Sequence, residues 1–147
     1  MVLVAQDIME TTFLSMDEET DGLTAARAMA DHRRGYAVVT RGPAATVAGI
    51  VTEWDFLEKV VARGLAPAEV RLKALASQVV HSCRPETPTD EVVATMANLG
   101  IRRMVVRSDD RVVGIITAKN VLSTFRQYID RLSREIAGYQ SSHPPLG

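Results

Sequence analysis

Two short motifs place polar side chains where a predicted strand runs directly into a predicted helix. Thr52 and Asp55 form the first pair, and Thr117 and Asn120 form the second with the same three-residue spacing. The first amide groups of a helix lack partners within it and favour an anion such as phosphate, whose shell a threonine hydroxyl can join. The same spacing fits a capping box, in which threonine and acid satisfy helix amides reciprocally. Capping and anion binding are compatible, so both interpretations stay open.

The two motifs end the two halves of an internal repeat. Residues 49–52 and 114–117 share the pattern Gly-Ile-aliphatic-Thr at a shift of 65 residues. Earlier in each half the shift is 67 residues, as Val38-Val39 matches Val105-Val106. The difference of two residues falls in a turn between predicted strands. Related folds tolerate such changes in turns, so the pattern indicates a duplicated structural unit.

Each half is predicted to fold as strand, helix, strand, strand and helix, from the spacing of its apolar residues. In the first half we expect strands at 12–16, 36–40 and 47–51, and helices at 21–32 and 53–63. In the second half we expect strands at 78–82, 103–107 and 112–116, and helices at 89–99 and from 117 onward, with a short linking helix at 72–76. The helix at 89–99 should direct Val92, Val93, Met96 and Leu99 inward.

The predicted fold class is therefore α+β, with two pseudo-twofold-related β-α-β-β-α repeats packed through their sheets and clefts between them. A half of about 65 residues buries only about 60% of its unfolded surface, so neither half is expected to be stable alone. The expected divisions are residues 4–65 for the first repeat, 70–134 for the second, and 135–147 for a helix end and a disordered tail.

Composition excludes several classes of protein. The chain has 147 residues, of which 46% are hydrophobic and 24% charged, so it is not a disordered chain. Its one cysteine excludes an intramolecular disulfide and favours a reducing, cytoplasmic compartment. No apolar run approaches the ~18 residues of a membrane span, and no basic, apolar leader is evident. A net charge of −1 argues against general nucleic-acid binding.

The duplicated pattern resembles a known family. Two consecutive strand-helix-strand-strand-helix units, each ending Gly-Ile-hydrophobic-Thr-x-x-Asp/Asn, are similar to tandem cystathionine-β-synthase (CBS) domains, the Bateman module. The resemblance covers residues from Val4 to Leu132. It implies a stand-alone regulatory or sensor module that binds adenosine-containing ligands in clefts between the repeats. These ligands are AMP, ADP or ATP, with S-adenosylmethionine and NAD as further candidates.

The resemblance also implies roles for individual residues. Asp55 and Asn120 take the position that binds the ribose diol, although asparagine has one acceptor oxygen where aspartate has two. The other implied contacts come from the strands, at Thr12, Phe13, Arg34, Gly35, Tyr36, Ala37, Val80, His81, Ile101, Arg102, Arg103 and Met104. Lys119 is a further phosphate candidate. Family members often have proline where Ala37 and Met104 stand.

The alternatives to these roles are structural. The apolar strand residues can be ordinary core, and the arginines at 33, 34, 102 and 103 can be solvated or paired with acids instead of clamping phosphate. The two sites are expected to be unequal. The first repeat has the better ribose acceptor in Asp55, and the second has the better phosphate partner in Lys119.

Catalysis is not expected from this sequence. His81 and Cys83 alternate along a predicted strand, but no third residue is evident that would orient them. Zinc, P-loop and dinucleotide-binding motifs are absent from the sequence. We therefore predict a binding protein, with no catalytic or metal-binding residues and no required cofactor. An adenine nucleotide would be its regulatory ligand, with Mg²⁺ only if a nucleotide carries it.

The terminal helix bears apolar residues at alternating spacings of three and four beyond Tyr128. The excess length needs apolar cover, and the resemblance implies a homodimer. Because little length is left for an effector domain, we expect an effector protein on another chain. The alternative function is a structural homodimeric interaction module with vestigial ligand sites. A third hypothesis, nucleic-acid binding through the arginines, predicts a steep salt dependence.

Overall fold

Each half of the chain builds a three-stranded sheet flanked by helices in the computed structural model, which describes residues 3–78 and 80–142. The strands are β1 (Ser15–Asp17), β2 (Tyr36–Arg41) and β3 (Thr46–Thr52), then β4 (Ser82–Cys83), β5 (Arg103–Ser108) and β6 (Arg111–Thr117). The helices are α1 (Ala5–Ile8), α2 (Gly22–Asp31), α3 (Glu53–Phe56), α4 (Leu72–Leu75), α5 (Thr89–Leu99) and α6 (Ala118–Ser142).

The two sheets have the same topology. In each, the short first strand runs parallel to the middle strand, and the middle strand is antiparallel to the last. The register also repeats, because Val39 lies opposite Gly49 and Val106 lies opposite Gly114, with an irregularity directly after each valine. The prediction of an α+β fold with two β-α-β-β-α repeats is confirmed.

The boundaries of some elements differ from those predicted. The strands expected at 12–16 and 78–82 form only at Ser15–Asp17 and Ser82–Cys83, because an edge strand exists only where the middle strand offers it a partner. The helix expected at 53–63 is four residues of α-helix followed by a π-helical turn, Leu57–Val61. Of the tail expected to fray, residues 141 and 142 complete α6, and residues 143–147 lie outside the described residues.

Helix α5 buries a narrower stripe than predicted. Val92 and Met96, one turn apart, are buried against the second sheet. Val93 and Leu99 were expected to point inward as well, but they are 39% and 50% exposed. Their positions lie to either side of the Val92–Met96 stripe, where the side chains are only partly covered.

Three apolar clusters hold the two repeats together. Ala25, Met29, Val39 and Leu72 belong to the cluster on the helical side of the first sheet. A matching cluster on the second sheet contains Ala5, Ile8, Val92, Met96, Met104, Val106 and Ile116. The third lies between the two sheets and joins Tyr36, Val38, Val105 and Ile115. The repeats therefore pack through their sheets, as predicted.

The short helices are exchanged between the repeats. Helix α1 opens the first repeat in sequence, yet Ala5 and Ile8 are buried in the cluster of the second. Helix α4 opens the second repeat, yet Leu72 and Leu75 are buried in the cluster of the first. Each core is thus closed by the first helix of the other repeat.

The motif glycines allow these exchanged segments to approach. Ser77 forms a two-way backbone bridge with Ile50, with N–O distances of 2.9 and 3.1 Å. A Cβ atom at Gly49 would overlap the carbonyl oxygen of Ser77. In the second repeat, a Cβ at Gly114 would overlap the Met9 side chain and lie 3.0 Å from the Glu10 carbonyl oxygen. The glycines of the repeated motif therefore have a packing role that is independent of any ligand.

The terminal helix α6 extends well beyond the second sheet. Its 25 residues span about 37 Å. Val121 packs against the second cluster, whereas Leu122, Phe125, Ile129 and Ile136 are each at least 47% exposed. Within the described residues, no helix combines the length and the apolar character that a membrane crossing requires.

Candidate functional site

In the first repeat the Thr52–Asp55 motif caps α3. Asp55 Oδ2 accepts hydrogen bonds from the Thr52 amide at 2.8 Å and from its hydroxyl at 3.1 Å. Asp55 Oδ1 lies 3.1 Å from Lys59 Nζ, which also donates to the Leu75 carbonyl at 2.8 Å. Asp55 is only 8% exposed. The carboxylate predicted to bind a ribose is thus already engaged by a cap and an ion pair, and Lys59 links it to helix α4.

In the second repeat the corresponding motif reaches across to the N-terminal segment. Asn120 Oδ1 accepts hydrogen bonds from the Thr117 amide and hydroxyl, both at 2.8 Å. The Asn120 amide nitrogen of the backbone donates to Thr117 Oγ1 at 3.1 Å, which completes a reciprocal cap. The side-chain Nδ2 donates to Glu10 Oε1 at 2.9 Å.

Glu10 connects this motif to the first repeat. Its Oε2 accepts a hydrogen bond from the Tyr36 hydroxyl at 2.9 Å and lies 3.5 Å from Arg34 Nη1. The Arg103 guanidinium stacks 4.9 Å from the centre of the Tyr36 ring. Burial, followed by the hydrogen bond to Glu10, raises the pKa of Tyr36. Two arginines, one from each repeat, therefore meet at a polar junction between the sheets.

The sequence predictions missed Glu10 and Lys59. Glu10 lies 110 residues from Asn120 and outside both motifs, so spacing along the chain cannot associate them. The repeat pattern contains one signal that could have indicated a role for Glu10. At the shift of 67, Glu10 corresponds to Ser77, and both residues pair with the isoleucine of the opposite motif, Ile115 and Ile50.

The sequence predicts unpaired amides at the starts of α3 and α6. For the first amide of each helix this prediction is wrong, because the structure shows it hydrogen-bonded. The Glu53 amide donates to the Gly35 carbonyl at 3.0 Å, and the Ala118 amide donates to the Arg102 carbonyl at 2.9 Å. Because the middle strand of each sheet begins beside the helix, the carbonyl oxygen of the residue just before that strand reaches the amide. These two amides are therefore not available as donors to an anion.

Several predicted contact residues face the cores. Ala37 and Met104 are 0% and 1% exposed and belong to the clusters on the helical sides of the sheets. Alternation along the strands directs their neighbours, Tyr36 and Arg103, to the other face.

Phe13 and Val80 pack against the cluster between the sheets, and Ile101 packs against the second core. His81 is partly buried and accepts the Val105 amide through its carbonyl, whereas Thr12, Arg102 and Lys119 are exposed.

A cavity of about 520 Å³ opens between α2 and α3. It is lined by Ala26, Met29, Ala30, Arg33, Arg34, Gly35, Glu53 and Phe56. Two predicted ligand residues, Arg34 and Gly35, line this cavity, and Arg34 also contacts Glu10. Thr52 and Asp55 are not among its described lining residues. The structure thus brings part of the predicted site together beside the polar junction.

A second, smaller cavity of about 300 Å³ lies beside Cys83 at the far end of the second sheet. Burial, with a smaller contribution from Glu91, raises the pKa of the Cys83 thiol to about 11. Within the described residues, no group of three His, Cys, Asp or Glu side chains is placed to hold a metal ion.

Cys83 should therefore react slowly with a disulfide reagent. At pH 8 a thiol of pKa about 11 is about 0.1% ionised, against about 10% for an ordinary thiol of pKa 9.0. A more basic thiolate is a stronger nucleophile, which offsets part of the rate lost through the lower ionised fraction. We therefore expect the reaction with 5,5′-dithiobis(2-nitrobenzoate) to be about tenfold slower than for free cysteine. The rate should rise with pH through 10 and should recover in 6 M guanidinium. A native rate equal to that of free cysteine would contradict the pKa assignment.

Comparison with known proteins agrees with this architecture. The CBS domain family matches the chain twice, over residues 4–62 and 72–126. An uncharacterised protein of Methanopyrus kandleri is 29% identical over 113 residues, which cover 76% of this chain and 57% of that protein. The chain therefore spans little more than half the length of this relative.

Solved structures share the fold. An uncharacterised conserved protein of Pyrococcus horikoshii has a TM-score of 0.77 at 24% identity, covering 86% of this chain and 94% of that one. A CBS domain pair in complex with 5′-methylthioadenosine and S-adenosyl-L-methionine has a TM-score of 0.76 at 21% identity, covering 87% and 99%. At these identities the likeness establishes the fold alone. With two family matches over most of its length and two matching sheets, the chain belongs to the CBS-domain family and carries one CBS domain in each repeat.

Proposed function

We propose that this chain is a regulatory module that binds adenosine-containing ligands between its two CBS repeats. AMP, ADP and ATP are the first candidates, with S-adenosylmethionine and NAD as others. The observation that carries the proposal is the polar junction, where Arg103 of one repeat stacks on the Tyr36 ring and Arg34 of the other contacts Glu10, which also bonds Tyr36 and Asn120.

The chemistry of this junction suits a nucleotide. Guanidinium groups match phosphate oxygens in a planar, bidentate geometry, and they also stack on aromatic rings and bases. The neighbouring cavity of about 520 Å³ adds an apolar floor from Met29 and Phe56 to the charged rim at Arg33 and Arg34. Such a combination of apolar walls and a few polar groups is typical of small-molecule sites.

The related fold supports the same class of ligand. A CBS domain pair with this fold holds 5′-methylthioadenosine and S-adenosyl-L-methionine, two molecules that share the adenosine group. Lys119, exposed at the start of α6, adds a cation near Asn120 for a phosphate or another acidic group. We propose no metal or tightly bound cofactor for this role, and Mg²⁺ enters only if a nucleotide brings it.

A second candidate function is a homodimeric interaction module whose ligand sites are vestigial. The observation in its favour is that Asp55 is 8% exposed and paired with Lys59. The exposed apolar face of α6, with Leu122, Phe125 and Ile129, is where we propose that a second copy packs in either case. An effector protein on another chain would respond to whether the module has bound its ligand.

A thermal-shift screen separates the two candidates. We expect at least one of AMP, ADP, ATP, NADH and S-adenosylmethionine to raise the melting temperature. At a concentration of 100 Kd the stabilisation is about 2.7 kcal/mol, which corresponds to roughly 5–10 °C for a chain of this size. If none of the five compounds raises the melting temperature at millimolar concentration, the sensor function is wrong.

The same screen on D55A and N120A tests the site. Both variants remove a helix cap, so their melting temperatures without ligand should fall and serve as the reference. A ligand-induced shift that is reduced in either variant supports a site at that motif. Shifts equal to that of the wild type in both variants would place the ligand elsewhere.

A further inference from the structure

We infer that Glu10, which lies outside both repeated motifs, is the carboxylate that receives the ligand's hydroxyl groups in the second repeat's site. The inference rests on the proposed function and assigns the polar contact that the asparagine of that site cannot make.

Asn120 is not free to accept a ribose hydroxyl. An amide oxygen has two lone pairs, and Asn120 Oδ1 already accepts the amide and the hydroxyl of Thr117, both at 2.8 Å. Its Nδ2 donates to Glu10 Oε1 at 2.9 Å. Asn120 therefore acts as a positioning residue that holds the Glu10 carboxylate at the start of α6.

Asp55, the acid of the first motif, is a poor acceptor as well. Its two oxygens receive Thr52 and the Lys59 ammonium, and its side chain is 12% exposed. A hydroxyl group would have to displace or share the Lys59 contact in a position largely closed to solvent. The ammonium also neutralises the charge that would strengthen a hydrogen bond from a ligand.

Glu10 combines access with a fixed position. Its side chain is 26% exposed, about twice the value for Asp55. Backbone hydrogen bonds of 2.8 and 2.9 Å to Ile115 hold the residue in both directions. Among the described residues, Asn120, Tyr36 and, at 3.5 Å, Arg34 reach its carboxylate, which has about four acceptor positions. Room thus remains for a ligand hydroxyl beside the arginine that lines the cavity.

The two repeats make complementary substitutions at matching positions. At the shift of 65, Asp55 corresponds to Asn120 and Lys59 corresponds to Thr124. At the shift of 67, Ser77 corresponds to Glu10. The first repeat therefore has its acid on the helix, where a lysine neutralises it. The second repeat has neither member of that pair and has its acid on the exchanged segment, next to the asparagine.

The test compares AMP with 2′-deoxy-AMP by isothermal titration calorimetry. If Glu10 accepts the 2′-hydroxyl, the wild type should bind AMP about tenfold more tightly than the deoxy compound, and E10Q should lose this preference by weakening AMP alone. E86Q makes the same chemical change at an exposed glutamate, 3.7 Å from Arg84, and it should keep the preference. Melting curves without ligand show whether E10Q is folded.

The wild-type comparison needs no variant, because the hydroxyl is removed from the ligand. Equal binding of AMP and 2′-deoxy-AMP by the wild type would overturn the role of Glu10 while leaving the proposed function in place. A preference that survives in E10Q but disappears in D55N would assign the hydroxyl to Asp55 and also overturn it. If the wild type is stabilised by none of the five compounds of the screen, the proposed function fails first, and the assignment of Glu10 fails with it.

Discussion

Replacing Gly49 with alanine is expected to lower the free energy of unfolding by about 3 kcal/mol. The added Cβ would overlap the Ser77 carbonyl oxygen, and it would lie 3.2 Å from the Ala76 side chain. A backbone carbonyl cannot rotate away as a side chain can. The alanine therefore has to separate β3 from the segment that carries α4, at the cost of the Ile50–Ser77 bridge.

Chemical denaturation of two matched variants measures this effect. Gly138→Ala makes the same change in α6, where no described atom outside the helix's own backbone lies within 4 Å of the new Cβ. That control should be more stable than the wild type by about 0.5–1 kcal/mol, because alanine is the better helix former. A Gly49→Ala variant as stable as the wild type would show that the exchanged segment does not pack as described.

The second large effect is expected at Leu72. This residue belongs to α4, outside the first repeat in sequence, but it is fully buried in the first repeat's core. Leu72→Ala should therefore cost about 3–4 kcal/mol, as deletion of a buried leucine side chain leaves a cavity in a packed cluster. The loss should appear as a lower midpoint in urea for the whole chain.

Leu65 provides the matched control for Leu72. It lies in the same connecting segment but is 49% exposed, so Leu65→Ala should cost less than about 1 kcal/mol. If the two leucine variants are equally stable, α4 is not part of the first repeat's core.

The longer elements could be predicted from local sequence because their own periodicity specifies them. Helix α5 begins and ends at Thr89 and Leu99, as predicted, since its apolar spacing and the glycine after it are local signals. The short strands β1 and β4 could not be placed by the same means. Their length depends on how far the middle strand extends beside them, which is a property of the folded sheet.

The candidate site was predictable only in part. The positions of the motifs at two strand-to-helix junctions follow from the duplicated pattern, as does the capping role of Asp55. The partners of these residues do not, because Lys59 is held by a carbonyl of α4 and Glu10 approaches from the other end of the chain. Arg34 and Arg103 belong to different repeats, and only the packing of the sheets brings Arg103 onto the Tyr36 ring, whose hydroxyl bonds the same Glu10 carboxylate that Arg34 contacts.

Because α1 and α4 are exchanged, the boundaries of each repeat in sequence differ from the boundaries of the core that it builds. A single repeat would carry the short helix that packs in the other repeat's core, and it would lack the helix that closes its own core. Two separate repeats could satisfy each other only by swapping these helices, as domain-swapped dimers do. In this chain the swap is covalently built in, so the two CBS domains should unfold together in one cooperative step.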